Sequence, residues 1–486
     1  MTDPDAEPVT TTPQPDAPRG GLCAEIVQAH RDLVAAGWPR IRSELESLVR
    51  IPSVSLTGYE TAQIERSARS VRELLTASGM DARVVRAAGD AGHPAVIGRI
   101  PAPPGGPTVL LYAHHDVQPA GDHADWESPP FEPTERGGRL YGRGAADDKA
   151  GVMTHVAAVR NLLARYGPTP PIGVTVFVEG EEEVGSTTLT DLLDQHRDEL
   201  VCDALVLADS ANWAVGVPSL TTTLRGMIRV VVTLRALEHG VHSGVYGGVA
   251  PDAITAMCRL MATLHDDRGS VAVPGLATLD VADVDYPEAK VRAEAGMRSQ
   301  APLLGTGSVV SRLWGQPAAT VIGIDAPRVD DSANLLLPAC RAKVSIRLAP
   351  DQPWQEAFPA VREHLLANAP WGTAVEVELE DFANGFTART TGPYPAAAHA
   401  AFAAAWGREP LDIGMGGSIP FVAEFAERFP GAAILITGVE DPDARAHGAN
   451  ESLHLGEFER VVLAESLLLE QLACGALADT DPGCRH

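Results

Sequence analysis

Acidic and imidazole side chains follow several strand-like runs in this chain. The groups are Glu181, Glu182 and Glu183 after residues 172–178, His114, His115 and Asp116 after residues 108–113, Asp209 after residues 204–208, and His447 in the loop that follows residues 433–437. In an open α/β sheet, ligands bind beyond the carboxyl ends of the strands. Each group alone is typical of a structural histidine or a solvated acid, but their joint occurrence at successive strand ends indicates a metal site.

A further acidic pair, Asp147 and Asp148, lies in the stretch YGRGAADDKAG, although such a pair is also common at a helix N-terminus. Carboxylates and imidazoles are ligands of zinc-like ions, and no cysteine lies in these segments. The five ligand candidates are too many for one open tetrahedral site and fit two ions that share a bridging ligand. Two divalent ions would also neutralise three carboxylates and one hydroxide, so that the cluster could be partly buried.

The apolar pattern around these groups predicts an α/β fold with a mostly parallel sheet. Strand-like runs at residues 95–100, 108–113 and 172–178 alternate with helical patterns at residues 149–166 and 187–196. Such alternation is typical of strands connected by crossover helices.

A smaller α+β unit is predicted between two parts of this domain. Period-two patterns at residues 221–234, 342–348 and 374–379 alternate with helical patterns at residues 251–265 and 353–368. We therefore predict a disordered tail over residues 1–22, a catalytic domain in two parts, 23–218 and 385–486, and an inserted domain over residues 219–384.

Composition limits the classes of partner. The 486 residues carry 38 basic and 64 acidic side chains, a net charge of −26, which argues against nucleic acid or an anionic membrane as the main partner. No apolar run is long enough to span a bilayer. The six cysteines are scattered, as expected for reduced thiols. These features predict a soluble, cytoplasmic protein.

Several motifs together resemble those of a known enzyme family. LLYAHHDVQP, YGRGAADDKAG, EGEEEVGS, HSGVYGG and AHGANES occur in this order. Nearly the whole chain after about residue 24 resembles the di-zinc metallopeptidases that include carnosine dipeptidases, aminoacylase, acetylornithine deacetylase and succinyl-diaminopimelate desuccinylase. DVQP, HSGVYGG and GGSIP favour the dipeptidase branch. The resemblance implies a zinc-exopeptidase-like catalytic domain and a ferredoxin-like inserted domain that acts as lid and dimerisation domain.

The resemblance also implies a ligand set for two ions, with zinc as the expected metal and manganese or cobalt as alternatives. Asp147 matches the bridging carboxylate. His114 and Asp209 would complete one site, and Glu183 and His447 the other. In AHGANES, Gly448-Ala449 stands where relatives commonly have Ser-Pro or Ser-Gln, but the histidine keeps its place.

Further roles follow from the same motifs. Glu182 matches the general base, and Asp116 matches the acid that orients His114. His115 is expected to have a packing or polar-contact role, and Glu181 to be a solvated acid at the rim of the site.

Substrate contacts are expected mainly from the inserted domain. His242 in HSGVYGG matches a histidine that stabilises the tetrahedral oxygen, often from the partner subunit of a homodimer. Arg347 matches the residue that binds the substrate carboxylate, and Asn334 is a second candidate. Gly417 and Ser418 match the loop that receives the C-terminal end of the substrate, although a Gly-rich helix entry would look the same.

The expected activity is hydrolysis of dipeptides or short peptides by a metal-bridged hydroxide, as in a dipeptidase or related carboxypeptidase. A deacylase or desuccinylase of N-acyl amino acids is the alternative, because both classes act on an amide near a free carboxylate. A catalytically inactive binding relative is a remote alternative, because Glu182 and all predicted ligands are present.

Overall fold

The computed structural model describes residues 22–281, 284–417 and 419–480. The predicted disordered tail lies outside these residues except for Leu22, and so does the predicted substrate residue Ser418. Within the described ranges, no helix combines the length and the apolar character that crossing a membrane would require.

The strands, in chain order, are β1 Asp81–Ala87, β2 Ala91–Ile100, β3 Thr108–His114, β4 Thr134–Arg136, β5 Arg139–Tyr141, β6 Gly173–Glu179, β7 Ala204–Leu207, β8 Ser219–Leu224, β9 Gly226–Arg235, β10 Val241–His242, β11 Ala318–Ile324, β12 Leu335–Leu336, β13 Ala339–Leu348, β14 Ala374–Ala383, β15 Phe386–Thr387, β16 Leu411–Met415, β17 Ala433–Ile436 and β18 Ser452–His454.

The helices are α1 Ala24–Val49, α2 Thr61–Ala77, α3 Lys149–Tyr166, α4 Leu189–Gln195, α5 Arg197–Leu200, α6 Ser243–Tyr246, α7 Ala253–Ala262, α8 Glu288–Glu294, α9 Trp354–Ala367, α10 Pro393–Trp406, α11 Pro420–Arg428 and α12 Leu455–Thr480.

The large sheet has the order β1-β2-β6-β3-β7-β17-β8-β15, and β16 pairs with β8. The pairs β3–β6, β3–β7, β7–β17 and β8–β16 are parallel, so the predicted α/β class with a mostly parallel central sheet is confirmed. Because parallel strands end at the same edge, the loops after β3, β6, β7 and β17 meet there.

Helices cover both faces of this sheet, which explains why its central strands are continuous apolar runs. In β3, Val109 and Leu111 join a cluster with residues of α1, α3 and α12. The alternating residues Leu110 and Tyr112 join a second cluster with α4 and α11 on the opposite face. His114 is therefore the last residue of a strand that is buried from Val109 onward.

A smaller antiparallel sheet, in the order β11-β13-β9-β14, has a hydrophobic core of its own. Helices α7 and α9 pack against it through residues such as Leu260 and Val361. The expected single strand over residues 221–234 is wrong in one respect, because β8 belongs to the large sheet and β9 to the small one. The chain crosses between the sheets at Arg225-Gly226, where a Cβ on Gly226 would lie 3.0 Å from the nitrogen of Gly385 on the returning segment.

Candidate metal centre and active site

The predicted ligands come together at the carboxyl edge of the large sheet. His114 is the last residue of β3 and pairs with Glu179 of the neighbouring β6. Asp209 follows β7, and His447 lies in the loop between β17 and β18. Asp147 lies in the turn that leads into α3, which packs under the same strands.

Two acid–imidazole triads share Asp147. In one, Nε2 of His114 lies 3.1 Å from Oδ1 of Asp147 and 3.8 Å from Oδ1 of Asp209. In the other, Nε2 of His447 lies 3.0 Å from Oδ2 of Asp147 and 3.3 Å from Oε2 of Glu183. The ligand-type atoms of each triad all lie within 4.8 Å of one another. The structure thus brings all five predicted ligand residues to one place.

The charges of this cluster fit divalent cations. Within the described ranges, Asp147, Asp209 and Glu183 form ion pairs only with His114 and His447 and with no lysine or arginine. Hydrogen bonds to Asp147 and Glu183 raise the pKa of His447 to about 11. Although burial opposes it, the same kind of contact lowers the pKa of Asp147 below its usual range. An environment that stabilises imidazolium so strongly also favours metal ions on the same ligand atoms.

Asp116 fixes the orientation of His114. Nδ1 of His114 lies 3.1 Å from the backbone oxygen of Asp116 and 3.4 Å from its carboxylate. The other carboxylate oxygen of Asp116 accepts a hydrogen bond from the backbone N–H of Glu183 at 3.1 Å. Nε2 of His114 is therefore the nitrogen that faces the cluster. Asp116 contacts both His114 of the first triad and Glu183 of the second.

Glu182 and Glu183 lie in a 3₁₀ turn directly after β6. Glu183 is held by Gln118, whose backbone N–H and side-chain amide donate to its two carboxylate oxygens at 3.1 and 2.8 Å. Burial raises the pKa of Glu182 well above its usual value, and the negative charges of Asp209 and Glu183 raise it further. A carboxylate that takes up a proton readily therefore adjoins the two triads.

The expectation that Glu181 is a solvated rim acid is wrong. Glu181 is buried, and one carboxylate oxygen accepts from the backbone N–H of His93 at 2.9 Å. The other accepts from the backbone N–H and hydroxyl of Thr188 at 3.0 and 2.7 Å. Its charge is satisfied by donors that are far apart in sequence, so Glu181 stabilises the loop between β6 and α4. His115 has the expected polar-contact role, since its Nε2 lies 2.8 Å from the oxygen of Pro94.

Sequence reasoning did not assign a role to Glu451, which holds the Asp147 loop. Its carboxylate accepts from the guanidinium of Arg143 at 2.6 Å and from the backbone N–H groups of Gly144, Ala146 and Asp147 at 3.0 to 3.2 Å. Arg143 and Glu451 are 1% and 0% exposed, respectively. The signal in the sequence was the position of Glu451 within AHGANES, close to His447.

The structure does not bring the predicted lid residues to the cluster within one chain. His242 ends β10, which pairs with β12, and Asn334 directly precedes β12; the backbone oxygen of Asn334 accepts from the N–H of Ser243 at 3.0 Å. Both side chains are exposed, and in the described residues His242 bonds only the N–H of Gly244. Arg347 lies on β13, and Gly417 follows β16.

A mostly parallel α/β sheet with two acid–imidazole triads at its carboxyl edge defines the class of metal-dependent hydrolases. Within that class, the family model "Peptidase family M20/M25/M40" matches residues 110–471. The chain belongs to this peptidase family.

Individual relatives agree with this assignment. The chain is 37% identical over 368 residues to the cysteinylglycine-S-conjugate dipeptidase of Corynebacterium striatum, covering 75% of this chain and 80% of the relative. It is 28% identical to the Cys-Gly metallodipeptidase DUG1 of Candida albicans, and the match covers 86% of this chain and 92% of the relative. The crystal structure of human carnosine dipeptidase 1 matches its fold with a TM-score of 0.74 at 23% identity, covering 93% of this chain and all of that one (100%). The predicted resemblance to a metallopeptidase family and its dipeptidase branch is confirmed.

Proposed function

We propose that the protein is a dipeptidase that uses two divalent metal ions. His114, Asp147 and Asp209 would hold one ion, and Asp147, Glu183 and His447 the other. The observation that carries this proposal is that the two oxygens of Asp147 face different imidazoles at 3.1 and 3.0 Å. We propose zinc as the working metal, with manganese or cobalt as alternatives, because an oxygen-rich ligand set accepts all three.

When bound, such a pair of ions activates water and polarises the scissile carbonyl. We assign Glu182 as the residue that accepts the proton of the attacking water and delivers it to the leaving amine. Burial raises its pKa above the usual value for a glutamate, which favours uptake of a proton from water. Asp116 accepts a hydrogen bond from the proton-bearing Nδ1 of His114, so that the unprotonated Nε2 faces the cluster.

We propose a dipeptide with a free carboxylate as the substrate. Arg347 would bind that carboxylate, and Gly417 and Ser418 would form the loop around the C-terminal end. The relatives named as Cys-Gly dipeptidases support a dipeptide over an N-acyl amino acid. The free thiols of Cys23, Cys202, Cys258, Cys340 and Cys474 suit a reducing cytoplasm.

We further propose a homodimer in which His242 and Asn334 reach the partner's cluster. The inserted domain proposed from the sequence, 219–384, would be the dimerisation unit, with its start moved to Gly226 because β8 belongs to the large sheet. β11 is an edge strand of the small sheet, and its residues Val321, Ile322 and Ile324 are 42%, 51% and 44% exposed. An exposed apolar edge strand favours pairing with a second copy.

Mixed dimers test where His242 acts. His242→Ala and Glu182→Gln each remove one part of a site, and their heterodimer would contain one site with both residues intact. If His242 acts on the partner's cluster, unfolding and refolding the two inactive variants together restores about a quarter of wild-type activity, from statistical mixing of subunits. If it acts within its own chain, the mixture stays inactive.

A substrate panel tests the proposed activity. The metal-loaded full-length protein is expected to hydrolyse dipeptides and to leave matched N-acetyl and N-succinyl amino acids nearly untouched. Faster turnover of the N-acyl compounds would favour the deacylase alternative. No hydrolysis of either class would favour the inactive relative. Glu182→Gln serves as the control for contaminating peptidases.

A further inference from the structure

A cavity of about 390 Å³ is lined by Asn212 and Trp213 of the loop that follows Asp209, and it has a defined chemical character. Its walls are aromatic rings, aliphatic side chains and a buried guanidinium, contributed by β16 of the large sheet, by Arg225 at the crossing between the sheets, by the turn before β11 and by the segment that contains α8. None of the residues assigned above as ligands, base or lid histidine lines it.

Aromatic side chains form one wall. Trp213 packs edge-on against Tyr286, with ring centroids 4.8 Å apart, and against Trp314, with centroids 5.9 Å apart. Such an arrangement leaves apolar ring surface facing the cavity and is suited to an apolar or aromatic group. Lys290 lies over the ring of Trp213 and is paired with Glu294 at 3.8 Å, so its charge is already balanced.

The guanidinium of Arg225 is the cation that remains unbalanced. Arg225 is only 9% exposed, and it donates to two backbone oxygens, those of Gly416 at 3.2 Å and Gln316 at 3.3 Å. In the described part of the chain, neither Arg225 nor the nearby Arg347 forms an ion pair with an acid. Burial and the charge of Arg347 lower the pKa of Arg225 to about 10. A buried cation without an anionic partner is costly, so this wall favours a carboxylate.

Two residues that line the cavity connect it to the proposed active site. Asn212 lines the cavity three residues after Asp209, and its backbone N–H donates to the oxygen of Glu440 at 2.8 Å. Gly416 also lines the cavity, next to Gly417 of the proposed substrate loop. A group in the cavity can therefore belong to a substrate whose amide lies at the cluster.

We propose that this cavity is the subsite for the C-terminal residue of the dipeptide, with its carboxylate held by Arg225 together with the nearby Arg347 and a bulky apolar or aromatic side chain against Trp213 and Trp314. The inference rests on the proposed dipeptidase function and adds a substrate class to it. A dipeptide carries its free carboxylate and its C-terminal side chain on the same carbon, so a cavity with both a guanidinium and aromatic walls matches that residue.

Matched dipeptides test the preference. For the metal-loaded full-length protein, we expect kcat/KM for Gly-Phe and Gly-Leu to exceed that for Gly-Gly by at least about 10-fold, since hydrophobic pockets discriminate by about 10- to 200-fold per methylene. Equal values would overturn the subsite while leaving the dipeptidase function intact. A preference for Phe-Gly over Gly-Phe would also overturn it. No hydrolysis of any dipeptide would instead remove the proposed function itself.

Variants connect the preference to the cavity. Trp213→Ala should lower kcat/KM for Gly-Phe by a larger factor than for Gly-Gly, so that their ratio falls toward one. Trp371→Ala is the matched control, because Trp371 is 58% exposed outside the cavity, and it should keep the wild-type ratio. An unchanged ratio in Trp213→Ala, or a loss of similar size in the control, would contradict the assignment.

Binding measurements separate a direct contact from a structural one. In the Glu182→Gln background, tryptophan fluorescence reports binding of Gly-Phe and of its C-terminal amide without turnover. Arg225→Gln should weaken binding of Gly-Phe by about 10-fold or more while changing binding of the amide much less, because the amide has no carboxylate for the guanidinium. Equal weakening of both ligands would show that Arg225 acts only through the Gly416 loop.

Discussion

Replacing Glu451 by glutamine should destabilise the protein far more than its position in a loop suggests. Each carboxylate oxygen of Glu451 accepts two hydrogen bonds, Oε1 from the N–H groups of Ala146 and Asp147 and Oε2 from Arg143 and Gly144. A glutamine amide in either orientation therefore points its NH₂ at two donors. Losing two bonds to a charged acceptor at about 1.5–3 kcal/mol each gives about 3–6 kcal/mol. A similar loss, about 3–5 kcal/mol, is expected when one partner of a buried ion pair is removed.

The assay is urea denaturation of the metal-free protein, which removes the contribution of metal binding to stability. Glu451→Gln is compared with Glu127→Gln, whose side chain is 74% exposed and whose replacement should change stability by no more than about 0.5 kcal/mol. The variant should also bind less metal, because the hydrogen bonds from Glu451 that position the backbone of Asp147 are disrupted. A free energy of unfolding within about 1 kcal/mol of wild type would refute the reasoning, and so would equal loss in the control.

Three further outcomes are expected. Glu182→Gln should lower turnover by at least about 100-fold while two metal ions per chain remain bound, measured by dipeptide hydrolysis and elemental analysis; full activity would remove the base assignment. His242→Ala should impair kcat without changing metal content or thermal stability, because its exposed side chain makes no contact with the cluster of its own chain; wild-type kcat would show the histidine to be incidental. Glu470 is buried, yet hydrogen bonds from His30 and Arg165 lower its pKa to about 2. The folded-state pKa lies below the unfolded value of about 4.3, so the stabilisation is complete above that value and is lost as pH falls toward 2. Glu470→Gln should therefore cost up to about 3 kcal/mol at pH 7, with the difference from wild type narrowing below about pH 4.5 in denaturation curves; a constant difference would contradict the ion-pair account.

Local patterns predicted the elements that carry the site. The helical spacing at residues 149–166 matches α3, and the apolar runs at 108–113 and 172–178 match β3 and β6 to within a residue. The bounds of these segments are predictable because each segment is either uniformly buried or ends at a glycine or an acidic group. Their parallel arrangement then places the strand-terminal acids and imidazoles at one edge.

Features that depend on distant contacts were not predictable in this way. Glu181 was expected to be solvated, but its partners are His93 and Thr188, and nothing in the local sequence shows that they converge on it. The crossing between the sheets at Arg225 was missed because β8 and β9 form one continuous period-two pattern across it. Glu451 acts on a loop 304 to 308 residues away, which only the fold brings close.

The central claim is that Asp147 bridges two metal ions, and anomalous diffraction at the zinc absorption edge tests it most directly. Crystals of the zinc-loaded protein should show two peaks about 3.5–4 Å apart, one on each side of the Asp147 carboxylate. A single peak, for example one beside His114 and Asp209 only, would contradict the account. Peaks remote from Asp147 would also contradict it.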